Sequence, residues 1–225
     1  MRLGIPRYRP IQGWTVLIIA LLVIGNGRLS YLADTIDAAL EHLPTFDHYL
    51  MVDDSGDRTV QHHLNRTYPD FHIHSHGTNL GMAKAVQAGW GMVLETDTDY
   101  VFHLEEDFRV LHPIPIDAAV TALETNTHVA QMLFQRQPLT PDEEAAGSVL
   151  GAMGPVTPHD NWCEQRHIFS LKPCLINRRV LKLGWPAGNE KEMTDQLLYN
   201  AWTFGVWHGQ HVEHIGTNRG TKWQL

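Results

Sequence analysis

The sequence predicts an α/β domain in which a largely parallel sheet is wrapped by helices. Three observations carry this. Short apolar runs recur at Thr15–Ile24, His48–Val52 and Tyr100–Leu104, and Phe71–His76 reads as a further strand. Segments of helical periodicity separate them. A polar cluster follows each run, which is where open α/β sheets bind ligands.

The elements are read in order. Val16–Ile24 is apolar throughout and far too short to span a bilayer. Arg2, Arg7 and Arg9 precede it, so a secretory signal is the alternative to a buried first strand. The strand is favoured, because Gly25-Asn26-Gly27-Arg28 stands where a small-residue cleavage site would be and a helical pattern begins at once. Leu29, Leu32, Ile36, Ala39, Leu40 and Leu43 mark a helix over 29–43. His48–Val52 is a strand ending in the acidic turn Asp53-Asp54-Ser55-Gly56-Asp57. A polar helix over 59–68, a strand at Phe71–His76, a loop at 77–81 and a helix at Met82–Leu94 follow. The strand Tyr100–Leu104 then ends in Glu105-Glu106-Asp107. Beyond it, 116–124 reads as helix and Val129–Phe134 as strand. Residues 135–161, rich in Pro, Gly and acids, have little periodicity. About Gln137–His159 is expected to be mobile without a ligand. Phe169–Ile176 reads as strand, Glu192–Phe204 as helix, and the tail holds His208, His211 and His214.

At 225 residues the chain is expected to form one domain with a sufficient core. Its 43% hydrophobic and 19% charged fractions are those of an ordinary globular protein. A formal net charge of -8 without a Lys/Arg run disfavours a protein held on nucleic acid by phosphate contacts. Two cysteines, Cys163 and Cys174, make no disulfide framework and read as reduced thiols of a cytosolic protein.

The run Asp99–Arg109, DYVFHLEEDFR, is the most informative stretch. In a strand continuing through it, Glu105 and Asp107 share one face and Glu106 points away. Carboxylates converging at a sheet edge repel unless a cation sits between them, and Mg²⁺ or Mn²⁺ accepts such oxygen ligands. The alternative is a charged strand end followed by a solvated turn. Similarly, VDDSGD serves equally as a plain strand-to-helix turn, and GTNLG as a turn and cap or as an anion site at a helix N-terminus.

Together, VDDSGD, NLGMAKA and HLEED resemble the motifs of GT-A glycosyltransferases near the inverting, family-2-like group. The resemblance covers about Thr15 to His214 and extends to VAQMLFQRQP (129–138), FSLKPCLINRRVL (169–181) and HIG (214–216). It departs from the D-x-D pattern in having Glu105 first, as in E-D-D variants. It implies a Rossmann-like GT-A sheet, with about 15–107 binding a nucleotide-sugar and about 108–225 binding the acceptor. It also implies donor contacts from Asp53, Asp54, Asn79, Gly81, Lys84, Glu105 and Glu106. Asp107 and His214 would hold Mn²⁺ or Mg²⁺. A carboxylate base is implied at the start of a late helix, with Asp195 and Glu192 nearly equal candidates and Glu190 third. Acids in a helix's first turn are favoured in any case. Trp162 is the candidate for stacking on sugar or acceptor, with a core role the alternative. Arg136 and Lys172 could meet the diphosphate or lie at the surface, and Lys84 could instead face solvent.

The expected activity is metal-dependent transfer of a sugar, with inversion, from a nucleotide-diphosphate sugar to an acceptor hydroxyl. The acceptor would be a protein, a hydroxymethylated DNA base or a glycan, and the setting the cytoplasm of a bacterium or of a phage-infected host. Two alternatives are a sugar-1-phosphate nucleotidyltransferase and a non-catalytic nucleotide-sugar-binding module. The first matches poorly, since GNGR (25–28) is not the early G-x-x-x-R loop of that class.

Overall fold

The computed structural model describes residues 17–186 and 188–216. The expected strand start at Thr15 and Val16, the arginines 2, 7 and 9 and the tail beyond Gly216 lie outside the described residues. The strands are β1 (Ile19–Gly25), β2 (His48–Asp53), β3 (His72–Ser75), β4 (Tyr100–Glu105), β5 (Phe108–Val110), β6 (Val129–Gln137), β7 (Thr157–Pro158), β8 (Trp162–Gln165), β9 (Cys174–Asn177) and β10 (Thr203–His214). The helices are α1 (Leu29–His42), α2 (Arg58–Thr67), α3 (Met82–Leu94), α4 (Ile116–Thr125), α5 (Pro141–Ala145), α6 (Val149–Ala152), α7 (Arg178–Leu181) and α8 (Glu190–Tyr199).

One mixed sheet runs in the order β3-β2-β1-β4-β9-β6-β10-β8-β7, with β5 added against β10. The first four neighbours are all parallel. β9 enters antiparallel between β4 and β6, which leaves β6 and β10 parallel to β4. The sheet is therefore mostly parallel, as expected.

Alternation along β1 explains the layering. Leu21 and Val23 face one core with α1, α4 and Leu64 of α2. Ala20, Leu22 and Ile24 face the other, with α3, α7 and α8. Both faces of the sheet are covered, so its strands read as nearly continuous apolar runs.

The first half follows the sequence reading closely; the second departs from it. The residues expected to form a strand at 169–173 cross over as an irregular segment, and β9 begins at Cys174. The helix expected to reach Phe204 stops at Tyr199, and Thr203 and Phe204 instead open the long strand β10. Residues 138–159 hold α5, α6 and β7, with Thr140 and Glu143 forming a capping box. Both cysteines are free and buried.

Arg178 ties the two halves together. Its guanidinium donates to the carbonyls of Val93 (3.3 Å), Thr96 (2.8 Å), Thr98 (2.8 Å) and Leu94 (2.7 Å). These are among the orphan acceptors at the end of α3 and in the turn before β4. A lysine cannot reproduce the planar fork. Arg178→Lys is expected to cost about 1–3 kcal/mol in urea unfolding; an unchanged midpoint would contradict this role.

Candidate active site

The strand ends come first. Gly25 pairs with Asp53, Ile24 with Glu105, and Asp53 with Ser75, so β1 to β4 finish along one edge. Strand order runs β1-β2-β3 one way and β4 onward the other. The crevice between the ends of β1 and β4 is thus the topological switch point of the sheet.

Three acids occupy it. Glu106 is buried, with its Oε2 accepting from the backbone N–H of Asn26 (2.8 Å) and Arg28 (3.2 Å) and its Oε1 from Arg28 Nε (2.6 Å). The expected donor contact of Glu106 is corrected: its carboxylate is consumed in holding the loop after β1. Asp107 Oδ2 accepts from Arg28 Nη2 at 2.8 Å and lies 3.4 Å from His214 Nε2. Burial alone would raise the Asp107 pKa, but His214 and Arg28 outweigh it and hold the carboxyl below its usual value. Glu105 has no such partner. Burial, then the charges of Asp107 and Glu190, push it up to about 8.

His214 arrives on the last strand. β10 pairs antiparallel with β5, which sets His214 opposite Phe108. The two rings lie 4.9 Å apart. Ile215 N–H donates to the Asp107 carbonyl at 2.8 Å, and a Cβ on Gly216 would come within 2.3 Å of Asp107 Oδ2. Glycine is required there by close approach to the carboxylate.

The turn after β2 shapes the neighbouring wall. Asp54, fully buried, accepts from Leu80 N–H (2.9 Å), Gly81 N–H (2.8 Å) and, on Oδ1, pairs with His76 Nδ1 (2.6 Å). Asp54 and the Gly81 amide, both expected as donor contacts, support the loop in this structure: the carboxylate is filled by Leu80, Gly81 and His76. Asp53 accepts from Ser55 N–H at 3.0 Å through Oδ1, while its Oδ2 is buried with no partner. Exposed Asn79 donates to Asn26 Oδ1 at 2.6 Å, linking this loop to the one after β1. Gly56, at φ 68°, allows the turn to pack on residues 78–79, where a Cβ would lie 2.7 Å from Asn79 N. Lys84 is exposed and donates to Gln87 at 3.0 Å, so it is corrected to a surface charge.

The third wall comes from the crossover before β9 and from α8. Glu190 Oε1 accepts from Leu171 N–H (2.6 Å) and Ser170 Oγ (3.1 Å). Asp195 and Glu192, the two preferred base candidates, are exposed and make no hydrogen bond to the crossover; Asp195 pairs with Lys191 at 2.6 Å and faces the cleft described below. Of the three acids, Glu190 is the one bonded to the crossover, and its charge is felt by Glu105. Lys172 faces Glu143 at 3.9 Å and Arg136 holds Glu143 at 2.9 Å; burial and the Arg136 charge lower the Lys172 pKa. A cleft of about 510 Å³ opens alongside, lined by Met82, His167, Ile168, Asn189, Glu190 and Asp195 among others. Trp162 is corrected to a core residue: it is 5% exposed on β8, with His159 stacked on its face at 3.8 Å.

Searches of sequence find no matching family model and no matching curated protein. Solved structures do match. S. aureus TarS 1–349 in complex with UDP-GlcNAc aligns with a TM-score of 0.59 at 13% identity, over 89% of this chain and 61% of that one. GalNAc-T7 with UDP, GalNAc and Mn²⁺ aligns with a TM-score of 0.62 at 12% identity, over 92% of this chain and 45% of that one. The chain has a GT-A fold. It spans less than two thirds of the length of either neighbour.

Sequence reasoning passed over Arg28, which it saw only as part of a mismatched loop, and Gly216. An arginine directly after a buried strand, opposite three consecutive acids, was the available signal for the first.

If Asp107 holds a divalent ion, as the resemblance implies, Gly216→Ala is expected to leave the fold intact by circular dichroism while lowering affinity for that ion about tenfold or more, ~1.4 kcal/mol, through displacement of Asp107. Unaltered affinity would show that Asp107 tolerates the methyl group. For Glu105, the folded pKa of about 8 lies above the unfolded value of about 4.3. Between them the folded chain holds a proton that the unfolded chain releases, so the stabilising contribution present below about 4.3 is lost as pH rises through that window. In metal-free protein, Glu105→Gln should therefore flatten the fall of Tm between about pH 5 and 8; parallel Tm profiles would count against the raised pKa.

Proposed function

We propose that the chain is a metal-dependent glycosyltransferase of the inverting, family-2-like kind, moving a sugar from a nucleotide-diphosphate sugar to an acceptor hydroxyl. The observation that carries this is the meeting of Asp107 and His214, distant in sequence, at the switch point of a GT-A sheet. The donor set fits a divalent ion. A carboxylate oxygen and an imidazole nitrogen 3.4 Å apart are near the spacing of two adjacent ligands, about 3 Å for right-angled bonds of roughly 2.1 Å. The imidazole favours a transition ion such as Mn²⁺ over Mg²⁺. Among the described residues no third His, Cys, Asp or Glu completes a set, so further ligands would come from the donor's phosphates and water. Bound there, the ion would act as a Lewis acid on the diphosphate leaving group.

The chain's own groups divide the remaining work. Asp53 Oδ2, buried and unpartnered, is an acceptor suited to an N–H of the nucleotide base. Glu105, at the end of β4 beside Asp107, is placed to face a donor bound at the switch point. Glu190 is the base. Its Oε1 is held by Leu171 and Ser170, which leaves Oε2 to take the acceptor's proton. Its place in the first turn of α8 favours negative charge. The half to about residue 107 would bind donor and the rest acceptor, with residues 137–159 ordering over the bound sugar. The acceptor hydroxyl belongs to a protein, a hydroxymethylated DNA base or a glycan; the net charge of -8 weighs against DNA. No described helix is long and apolar enough to cross a membrane. The cytoplasm of a bacterium or phage-infected host is the proposed setting.

Incubation with UDP-, GDP- and TDP-sugars and Mn²⁺ tests the reading. Slow metal-dependent release of nucleoside diphosphate is expected, and Asp107→Ala should abolish it with the fold preserved. Conversion of the nucleotide-sugar to nucleoside triphosphate and sugar-1-phosphate only when pyrophosphate is added would mark a nucleotidyltransferase instead; saturable binding without turnover, with protein, DNA and glycan acceptors supplied, would point to a binding module. Once an acceptor is found, Glu190→Gln should reduce transfer about 10²-fold or more while donor binding survives. Glu192→Gln and Asp195→Asn should stay near wild type; the reverse pattern would restore one of those two acids as base.

A further inference from the structure

We propose that Arg28 is a resident counter-cation of the acidic centre, which must release Asp107 before that carboxylate can hold a divalent ion, and that it thereby sets the metal affinity of the donor-free protein. The inference rests on the metal role given above to Asp107 and His214.

Arg28 has two grips of different character. Its Nε bonds Glu106 Oε1 at 2.6 Å, and its backbone N–H bonds Glu106 Oε2 at 3.2 Å. Glu106 is 2% exposed, so breaking this grip would strand a buried carboxylate. The second grip is separate: Nη2 bonds Asp107 Oδ2 at 2.8 Å. That is the oxygen lying 3.4 Å from His214 Nε2, the one placed to share an ion with the imidazole. A guanidinium and a divalent ion on one oxygen compete for its lone pairs and repel each other. Rotation of the guanidinium end about its Glu106 anchor would free Asp107 without opening the loop. The Tyr31 ring, 5.3 Å from the guanidinium carbon, offers a cation–π face that keeps the charge stabilised when the bond to Asp107 is lost. Arg28 is thus a positioning residue: it acts on the ion through Asp107.

The test measures Mn²⁺ binding alone, without donor, by electron paramagnetic resonance of the free ion. Arg28→Gln removes the charge and keeps a neutral donor near Glu106. It is expected to tighten Mn²⁺ binding about tenfold, the order expected when a neighbouring like charge is removed, with Arg28→Lys remaining close to wild type. Asp107→Asn should abolish binding in both backgrounds. Unchanged or weaker binding in Arg28→Gln, with Asp107 still required, overturns the role of Arg28 and leaves the metal reading standing. Binding indifferent to Asp107→Asn overturns both. Should Arg28→Gln fail to fold, the wild-type protein serves: titration with diamagnetic Mg²⁺ should shift the Arg28 side-chain ¹⁵N–¹H signals, and static signals at saturation would overturn the proposal.

Discussion

A buried carboxylate holds the two halves of the switch point together. Glu106 sits in the turn after β4, yet its side chain reaches the loop after β1 and accepts from two backbone amides and one guanidinium there. Its own carbonyl accepts from Thr35 Oγ1 of α1 at 2.6 Å. A charge so deeply placed is tolerable only with its lone pairs filled, and burial still raises its pKa against the pull of Arg28. The geometry around it follows. Gly25 leaves room for this carboxylate: a Cβ there would stand 3.1 Å from Glu106 Oε2 and press on it. Asn26 is oriented to receive Asn79, and Arg28 to reach Asp107. The acidic turn is a scaffold first: its middle acid holds the loop after β1, and that same loop carries the arginine that meets Asp107.

The same division of labour recurs in the turn after β2. Asp54 is spent on the amides of Leu80 and Gly81 and on His76, while Asp53 next to it keeps an unfilled oxygen. In each cluster one acid organises the loop and a neighbour remains available. Sequence alone cannot assign these parts. Adjacent residues of one type differ only in which way the backbone aims them, and the aim depends on loops from other strands.

This explains which parts are legible in the sequence. The parallel half is readable because its central strands β1, β2 and β4 are apolar runs and α1 and α3 have clear apolar periods, so local pattern and tertiary role agree there. The bounds of α3 match its apolar pattern to the residue. Those of β10 do not, because its twelve residues mix the apolar positions Phe204, Val206 and Trp207 with His208, Gly209 and Gln210, and its register to β6 is irregular. β5, β7 and β8 are short pieces whose pairing is set from outside. Proximity to the apolar residues of α8 does not predict which acid of the helix bonds the crossover; that contact is set at the helix N-terminus, where Asn189 caps the helix and Glu190 turns toward Leu171. The histidine of the acidic centre is nameable through the HIG resemblance, but its 3.4 Å approach to Asp107 depends on β10 crossing back to β5.

The order of the partners around Asp107 along the chain has a consequence for synthesis. A ribosome makes Arg28 before the acidic turn and His214 long after it, at about 5–20 residues per second. While the rest of the chain is still being made, β1 and β4 can already pair, and Arg28 is at hand to neutralise the acids as they are buried. The imidazole side of the centre closes only when β10 has been translated and laid against β6. The acids are therefore neutralised by Arg28 from the first half of the chain, and the imidazole joins them only when the last strand is in place.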